Sequence, residues 1–222
     1  MRFRLGQLQS MQLPADLRAL PAAQFRALAA LALMLIIAQI DQPFPEIAWL
    51  HHVPTVLLLV AAPMLLRRWP LSDGAVVALV LFFALHTLGG RYTYSSVPYD
   101  DWVRSLIGSA PSDWFGWTRN HYDRLVHFAF GLLFYAPIRE IGLRWLGQSR
   151  IMAAIVSIGF ALSVGALYEI FEGLLTLVVA PEMANGYNGQ QGDMWDAQKD
   201  MGLAFVGSLL AAGCVRWSGR RG

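Results

Sequence analysis

The chain has 222 residues, of which 56% are hydrophobic and only 14% charged, and its mean hydropathy is +0.44. Soluble domains carry about 25% charged residues, so this composition excludes an ordinary soluble protein and points to an integral membrane protein. The net charge of +2 is uninformative by itself, and a single cysteine, Cys214, excludes an intrachain disulfide or a cysteine-based zinc site.

Residues 1–23, with Pro14, Pro21 and scattered arginines, are too polar to span a bilayer and too short to form a domain. We expect a cytoplasmic lead there. Apolar runs follow at about 24–40, 47–66, 74–90, 124–141, 151–180 and 201–217, each near the ~20 residues a bilayer requires. The first lacks a closing small-residue cleavage site and reads as a retained helix. The expectation is an all-α, polytopic membrane bundle of about six transmembrane helices, one domain over 24–217 with a short tail at 218–222. Pro54 and Pro63 fall inside the second run, which membrane helices tolerate where neighbours satisfy the freed carbonyls.

Arginine placement sets the expected orientation. Arg2, Arg4, Arg18 and Arg26 precede the first run, Arg67 and Arg68 follow the second, Arg139, Arg144 and Arg150 surround the turn after the fourth, and Arg216, Arg220 and Arg221 end the chain. The positive-inside rule then puts both termini in the cytoplasm. Most acidic residues fall on the opposite side. The largest outer loop, about 91–123, is rich in Trp and Tyr, a composition suited to the headgroup level, and reads as an aromatic belt or an interfacial lid. Gly186 to Gly189 is a turn signal.

Four of the runs bring ionisable groups to this outer level. His86 falls late in the third run, Asp123 and His127 open the fourth at i, i+4, and Glu169 and Glu172 come late in the fifth. Asp193, Asp196 and Asp200 enter the sixth at i, i+3, i+7, a spacing that shares one helical face. A charge within a bilayer costs roughly 2.5–3.5 kcal/mol, so such groups mark a partner, a cavity, a metal or a pathway. Two readings stand beside each other at every position. His86 alone is more simply an interhelical hydrogen-bond partner, the Asp123–His127 pair is as readily structural as ligating, and Arg124 or Arg91 could neutralise Glu169 and Glu172. The functional alternative is a divalent cation held by Asp123, His127, Glu169, Glu172, Asp193, Asp196 and Asp200, with Glu169, Glu172 and His127 as catalytic candidates. Oxygen ligands favour Mg²⁺, Ca²⁺ or Mn²⁺, and the histidines keep Zn²⁺ open.

The pattern His86…Gly89-Gly90-x-Tyr92-x-Tyr94, Asp123-Arg124-x-x-His127, Glu169-x-x-Glu172 and Gly192-Asp193-x-Trp195-Asp196-x-Gln198-x-Asp200-Met201 resembles the YjdF family of bacterial inner-membrane proteins over about residues 30–215. The last three motifs look, more distantly, like those of VanZ-like proteins, which are linked to teicoplanin resistance and carry Asp-Lys-x-x-His, Glu-x-x-Gln and Asp-x-x-Asp-x-x-x-Asn. This chain departs from them with Glu172 in place of Gln and Asp200 in place of Asn, both adding negative charge. A weaker echo links the Asp193-Asp196-Asp200 spacing to the aspartate motifs of membrane prenyltransferases and CDP-alcohol phosphotransferases, whose further signatures are absent here. The resemblance implies an inner-membrane location and a polar site, to which His86, Tyr92, Tyr94, Arg124, Trp195 and Gln198 would contribute substrate contacts. It implies no activity.

Three functions remain compatible with these residues: a cation-dependent enzyme or binding protein acting on a lipid or lipid-linked envelope precursor, a small proton-coupled transporter with a Glu169–Glu172–His127 relay, and a structural membrane partner held by buried ion pairs. No nucleotide-binding glycine motif or nucleic-acid module is visible, and no protein partner is indicated.

Overall fold

The computed structural model describes residues 20–178 and 190–218. Residues 1–19 of the lead expected over 1–23, the turn at 186–189, Glu182 and the last four residues lie outside the described residues. Within them the chain is all-α: α1 (Ala22–Ile37), α2 (Pro45–Arg68), α3 (Asp73–Arg91), α4 (Tyr99–Ile107), α5 (Pro111–Phe115), α6 (Tyr122–Arg144), α7 (Arg150–Val178) and α8 (Asp196–Ser218).

Four helices, α2, α3, α6 and most of α7, are long and apolar enough to cross a membrane. At ~1.5 Å per residue, the 23 residues of α6 reach about 35 Å, more than the ~30 Å hydrocarbon core. The apolar α1 has 16 residues and is shorter than that core, so the expected count of six requires both α1 and α8 in addition to these four. Pro54, Pro63 and Pro137 all sit inside continuous helices, as a membrane setting allows.

α6 is the hub, packing on α3, α7 and α8, while α3 carries α1 and α2 on its other side. The tightest seam is α6 against α8, and small residues create it. A Cβ on Gly131 would meet the Ala204 carbonyl oxygen at 1.8 Å, and one on Gly207 would meet the Phe128 carbonyl oxygen at 2.2 Å. Only glycine lets these two backbones touch, the device membrane helices use where lipid tails supply no hydrophobic drive. On α7 the corresponding stripe is Ala161 and Gly165, with Ala161 fully buried against Phe130 and Ala204.

The segment between α3 and α6, expected to be the outer loop, is ordered by its own polar contacts. Asp100 accepts from the Ser112 amide and hydroxyl at 3.1 and 2.5 Å, and Arg104 pairs with Asp113 at 3.2 Å. It leaves Leu106, Ile107, Trp114 and Phe115 exposed, a surface suited to the headgroup boundary. The Ala110 amide first, and then Arg104, both hydrogen-bonded to the Asp113 carboxylate, hold it below the usual aspartate range.

Candidate functional site

The small-residue seams have a polar continuation. On α6 the stripe Asp123, His127, Gly131 runs at i, i+4, i+8, and on α8 Asp196, Asp200, Ala204, Gly207 follows the same face. On α7 the stripe is Ala161, Gly165, Glu169, Glu172. The contacts that let the three backbones approach below therefore force their carboxylates together one to two turns above. The end that results is built from the C-terminal turns of α3 and α7 and the first turns of α6 and α8.

Two clusters share this end. In the inner one, ligand atoms of Asp123, His127 and Asp200 all lie within 4.8 Å of one another, and all three residues are buried. His127 Nε2 is 3.6 Å from Asp123 Oδ1 and 3.6 Å from Glu169 Oε1. These separations exceed a hydrogen bond and leave room between the groups. Asp200 Oδ1 and Glu169 Oε1 are buried without a hydrogen-bond partner, and Asp200 is only 2% exposed. Glu172, one turn beyond Glu169, is also buried. Among the described residues no lysine or arginine pairs with Asp123, Glu169 or Asp200.

The outer cluster is a network of opposite charges. Arg119 reaches Asp196 at 2.7 Å and Asp193 at 3.5 Å, and Arg124 pairs with Asp193 and, at 3.2 Å, with Asp196. Lys199 binds Asp193 at 2.5 Å. Three cations thus serve two carboxylates. The Lys199 ammonium first, and then the Trp195 amide that also donates to Asp193, hold its carboxyl down at about 2. Partial burial, then the Arg124 and Arg119 charges, push His121 below the usual imidazole range. A neutral ring suits its position, 3.3 Å from an Arg124 nitrogen and 4.4 Å between ring centroids from Trp117.

Below the inner cluster lies a cavity of about 220 Å³, reaching from Asp123 and His127 to His86 and Tyr94 across Phe82, Phe130 and Phe134. His86 Nε2 sits 2.8 Å from the His51 carbonyl oxygen, which can only accept, so this nitrogen carries the proton and Nδ1 accepts from the Tyr94 hydroxyl. Tyr94 reaches His86 by folding back over α3, at a backbone φ of +56° that follows +53° at Thr93. For a β-branched residue this conformation is costly, of order 1–3 kcal/mol. Gly89 makes the fold-back possible, since a Cβ there would lie 2.6 Å from the Tyr94 ring.

The structure therefore gathers Asp123, His127, Glu169, Glu172 and Asp200, sets Arg124, Asp193 and Asp196 directly above them, and puts His86 and Tyr94 on the cavity wall. It does not bring in three residues expected as substrate contacts. Trp195 and Gln198 are exposed on the outward side of the first turn of α8, and Tyr92 packs on Trp102 at 6.0 Å outside the cavity. Arg91 is not a counter-charge for the glutamates, because it donates to the Ala38, Ile40 and Asp41 carbonyls. Arg119, which pairs with Asp196 and Asp193, is a member of the outer cluster that the sequence did not single out. Its one signal was position, five residues before Arg124 in a segment rich in polar and aromatic side chains.

Residues 23–221 match the model of a family described as a predicted membrane protein (DUF2238). The chain is 34% identical over 166 residues to the inner membrane protein YjdF of Escherichia coli (strain K12), an alignment covering 74% of this chain and 75% of that protein. No solved structure matches it. A family match over nearly the whole length, a curated relative at this identity and the apolar helices described above agree: the chain is a multi-pass membrane protein belonging to the DUF2238 family.

Proposed function

We propose that this inner-membrane protein uses its polar end to hold a divalent cation on Asp123, His127 and Asp200, with Glu169 and Glu172 beside it. The cation would receive the polar head of a lipid or lipid-linked envelope precursor whose apolar part occupies the aromatic cavity. The single observation that carries this reading is the buried Asp123–His127–Asp200 cluster, in which Asp200 has an unpartnered oxygen and, among the described residues, no lysine or arginine pairs directly with either aspartate. Ionised carboxylates buried this closely repel one another, and a cation between them offsets that cost. Two oxygen donors and one imidazole suit Mg²⁺ or Mn²⁺ and admit Zn²⁺.

A cation at this position would polarise a phosphoryl or carbonyl oxygen. Glu169, 3.6 Å from His127, is the group placed to take a proton from an attacking water. In this reading α1 and α8 also span, both termini are cytoplasmic, residues 24–217 form one domain, and the site faces outward. The transporter alternative is weaker because, among the described residues, the cavity at the opposite end of the bundle is lined by aliphatic side chains and tryptophan with no ionisable group, which gives an ion no second station.

The outer cluster supports a second reading for its own residues. Asp193 and Asp196 already have Arg119, Arg124 and Lys199, so they act as an ion-pair clasp between the outer loop and α8 and need no metal. Elemental analysis and thermal melting of detergent-purified protein test the division. We expect about one equivalent of divalent metal and a melting temperature lowered by chelator and restored by metal, since ligand at 100 times its Kd stabilises by about 2.7 kcal/mol. Asp200→Asn should abolish both, while Asp193→Asn should leave metal content intact. Metal-free protein whose melting ignores chelator would reduce the inner cluster to a packing device as well.

A further inference from the structure

The end of the bundle remote from the polar site holds a second cavity, larger than the first at about 470 Å³, between α1, α2, α3 and α6. Among the described residues, the side chains lining it are aliphatic or tryptophan, including Leu28, Ala62, Leu66 and Val76, with Trp69 and Trp145 at its rim. Water does not stably fill such a space, because it would find none of the two to four polar partners it needs. The cavity is open at its mouth, where Leu65, Trp69, Trp145 and Leu146 are exposed, so surrounding lipid can enter it. In a bilayer the apolar material at hand is an acyl chain.

The rim carries the complement to a headgroup. Arg68 lies over the Trp69 ring at 5.3 Å and Arg144 over the Trp145 ring at 5.9 Å, so each cavity-lining tryptophan has a guanidinium on its face. Tryptophan with arginine is the pairing expected at the boundary between hydrocarbon and headgroups. Two acids stand near this rim: Asp73, which accepts from Gln24 Nε2 at 2.8 Å, and Glu140. Glu140 accepts from the Ser72 amide at 2.8 Å and from the Ser72 hydroxyl at 2.5 Å, capping the start of α3, while it also pairs with Arg144. Arg67 and Arg68 have no acidic partner among the described residues, so the rim keeps an excess of positive charge.

We propose that this cavity is a binding site for an anionic phospholipid, with one acyl chain seated among Leu28, Ala62 and Leu66 and the phosphate held between Arg68 and Arg144. Basic pockets between membrane helices recognise acidic lipid heads through this combination of charge and apolar depth. The proposal is independent of the cation site, which lies at the other end of the helices.

The test is tryptophan quenching in vesicles of phosphatidylcholine that contain either acyl-brominated phosphatidylglycerol or acyl-brominated phosphatidylcholine at the same mole fraction. The share of fluorescence due to the rim is taken as the difference between the natural chain and its Trp69→Phe/Trp145→Phe variant. That share should be quenched at least twofold more by the brominated phosphatidylglycerol. The Arg68→Gln/Arg144→Gln variant changes only exposed side chains and should lose the excess, as should Ala62→Phe, which fills the cavity. Equal quenching by the two lipids in the natural chain overturns the proposal, as does an excess that survives the arginine changes. An excess lost with the arginines but kept in Ala62→Phe also overturns it, because it would show a headgroup adsorbed at the surface with no chain seated. Should Ala62→Phe fail to fold, the smaller cavity-filling change Ala62→Leu takes its place, with the same outcomes.

Discussion

Gly131 of α6 lies against the backbone of Ala204 in α8 so closely that a single added carbon would sit 1.8 Å from the Ala204 carbonyl oxygen. One turn toward the polar end on the same faces stand His127 and Asp200, with Asp123 and Asp196 a further turn on. The distance between the two glycine-lined backbones therefore sets the distance between the ligand candidates.

Gly131→Ala should be destabilising through overpacking, by about 1–3 kcal/mol or more, with Gly207→Ala similar, since both Cβ atoms would meet backbone and not a movable side chain. Gly159→Ala, where a Cβ meets nothing within 4 Å, should leave melting unchanged. If the seam positions the cluster, Gly131→Ala also weakens metal binding without touching a ligand. Parallel melting curves and metal titrations of the three variants read both effects.

Arg119→Ala should be at least as damaging as Arg124→Ala. Arg119 has a side chain only 12% exposed and makes the 2.7 Å contact to Asp196, itself 4% exposed. Removing one partner of a buried pair strands the other at a cost of roughly 3–5 kcal/mol. Combining Arg119→Ala with Asp196→Asn should recover part of the loss, and a double-mutant cycle on thermal or denaturant unfolding measures how much.

Acid should weaken the outer clasp in a defined window. The folded Asp193 carboxyl lies at about 2, below its ordinary 3.8. A carboxyl lowered in the folded state contributes stability that is full above its unfolded value and lost as pH falls through the folded one. Stability should therefore decline between about pH 4 and pH 2, and Asp193→Asn should flatten that limb. Melting temperature against pH for the two proteins shows this, and identical acid limbs would mean that the Lys199 and Arg124 contacts are not formed in solution.

The orientation has its own check. In a Cys214→Ala background, Thr118→Cys on the exposed outer loop should react with an impermeant thiol reagent in spheroplasts. Ser149→Cys, in the exposed turn between α6 and α7, should react only after permeabilisation. The reverse pattern would put the polar site on the cytoplasmic side.

Much of this protein is legible in its sequence because a bilayer leaves the backbone few choices. Apolar runs of about 20 residues must be helices, and the costly ionisable groups within them stand out: Asp123, His127, Glu169, Glu172 and Asp200 were all identifiable before any contact was known. Spacing also predicted that Asp193, Asp196 and Asp200 share one helical face, but α8 begins at Asp196, so Asp193 sits in the turn before it and only Asp196 and Asp200 share the face. What spacing could not decide was which neighbour each carboxylate meets, because that depends on how closely α6, α7 and α8 approach and on where the outer loop crosses them. Tertiary structure divides the aspartates. Asp193 and Asp196 go to Arg119, Arg124 and Lys199, while Asp200 turns inward to Asp123 and His127 without a basic partner. It also leaves Trp195 and Gln198 facing outward, since a helix that buries Asp196 and Asp200 against α6 must turn positions 195 and 198 away. The sequence determined that charge would be buried near the membrane boundary; the glycine seam and the crossing of Arg119 decided how that charge is shared.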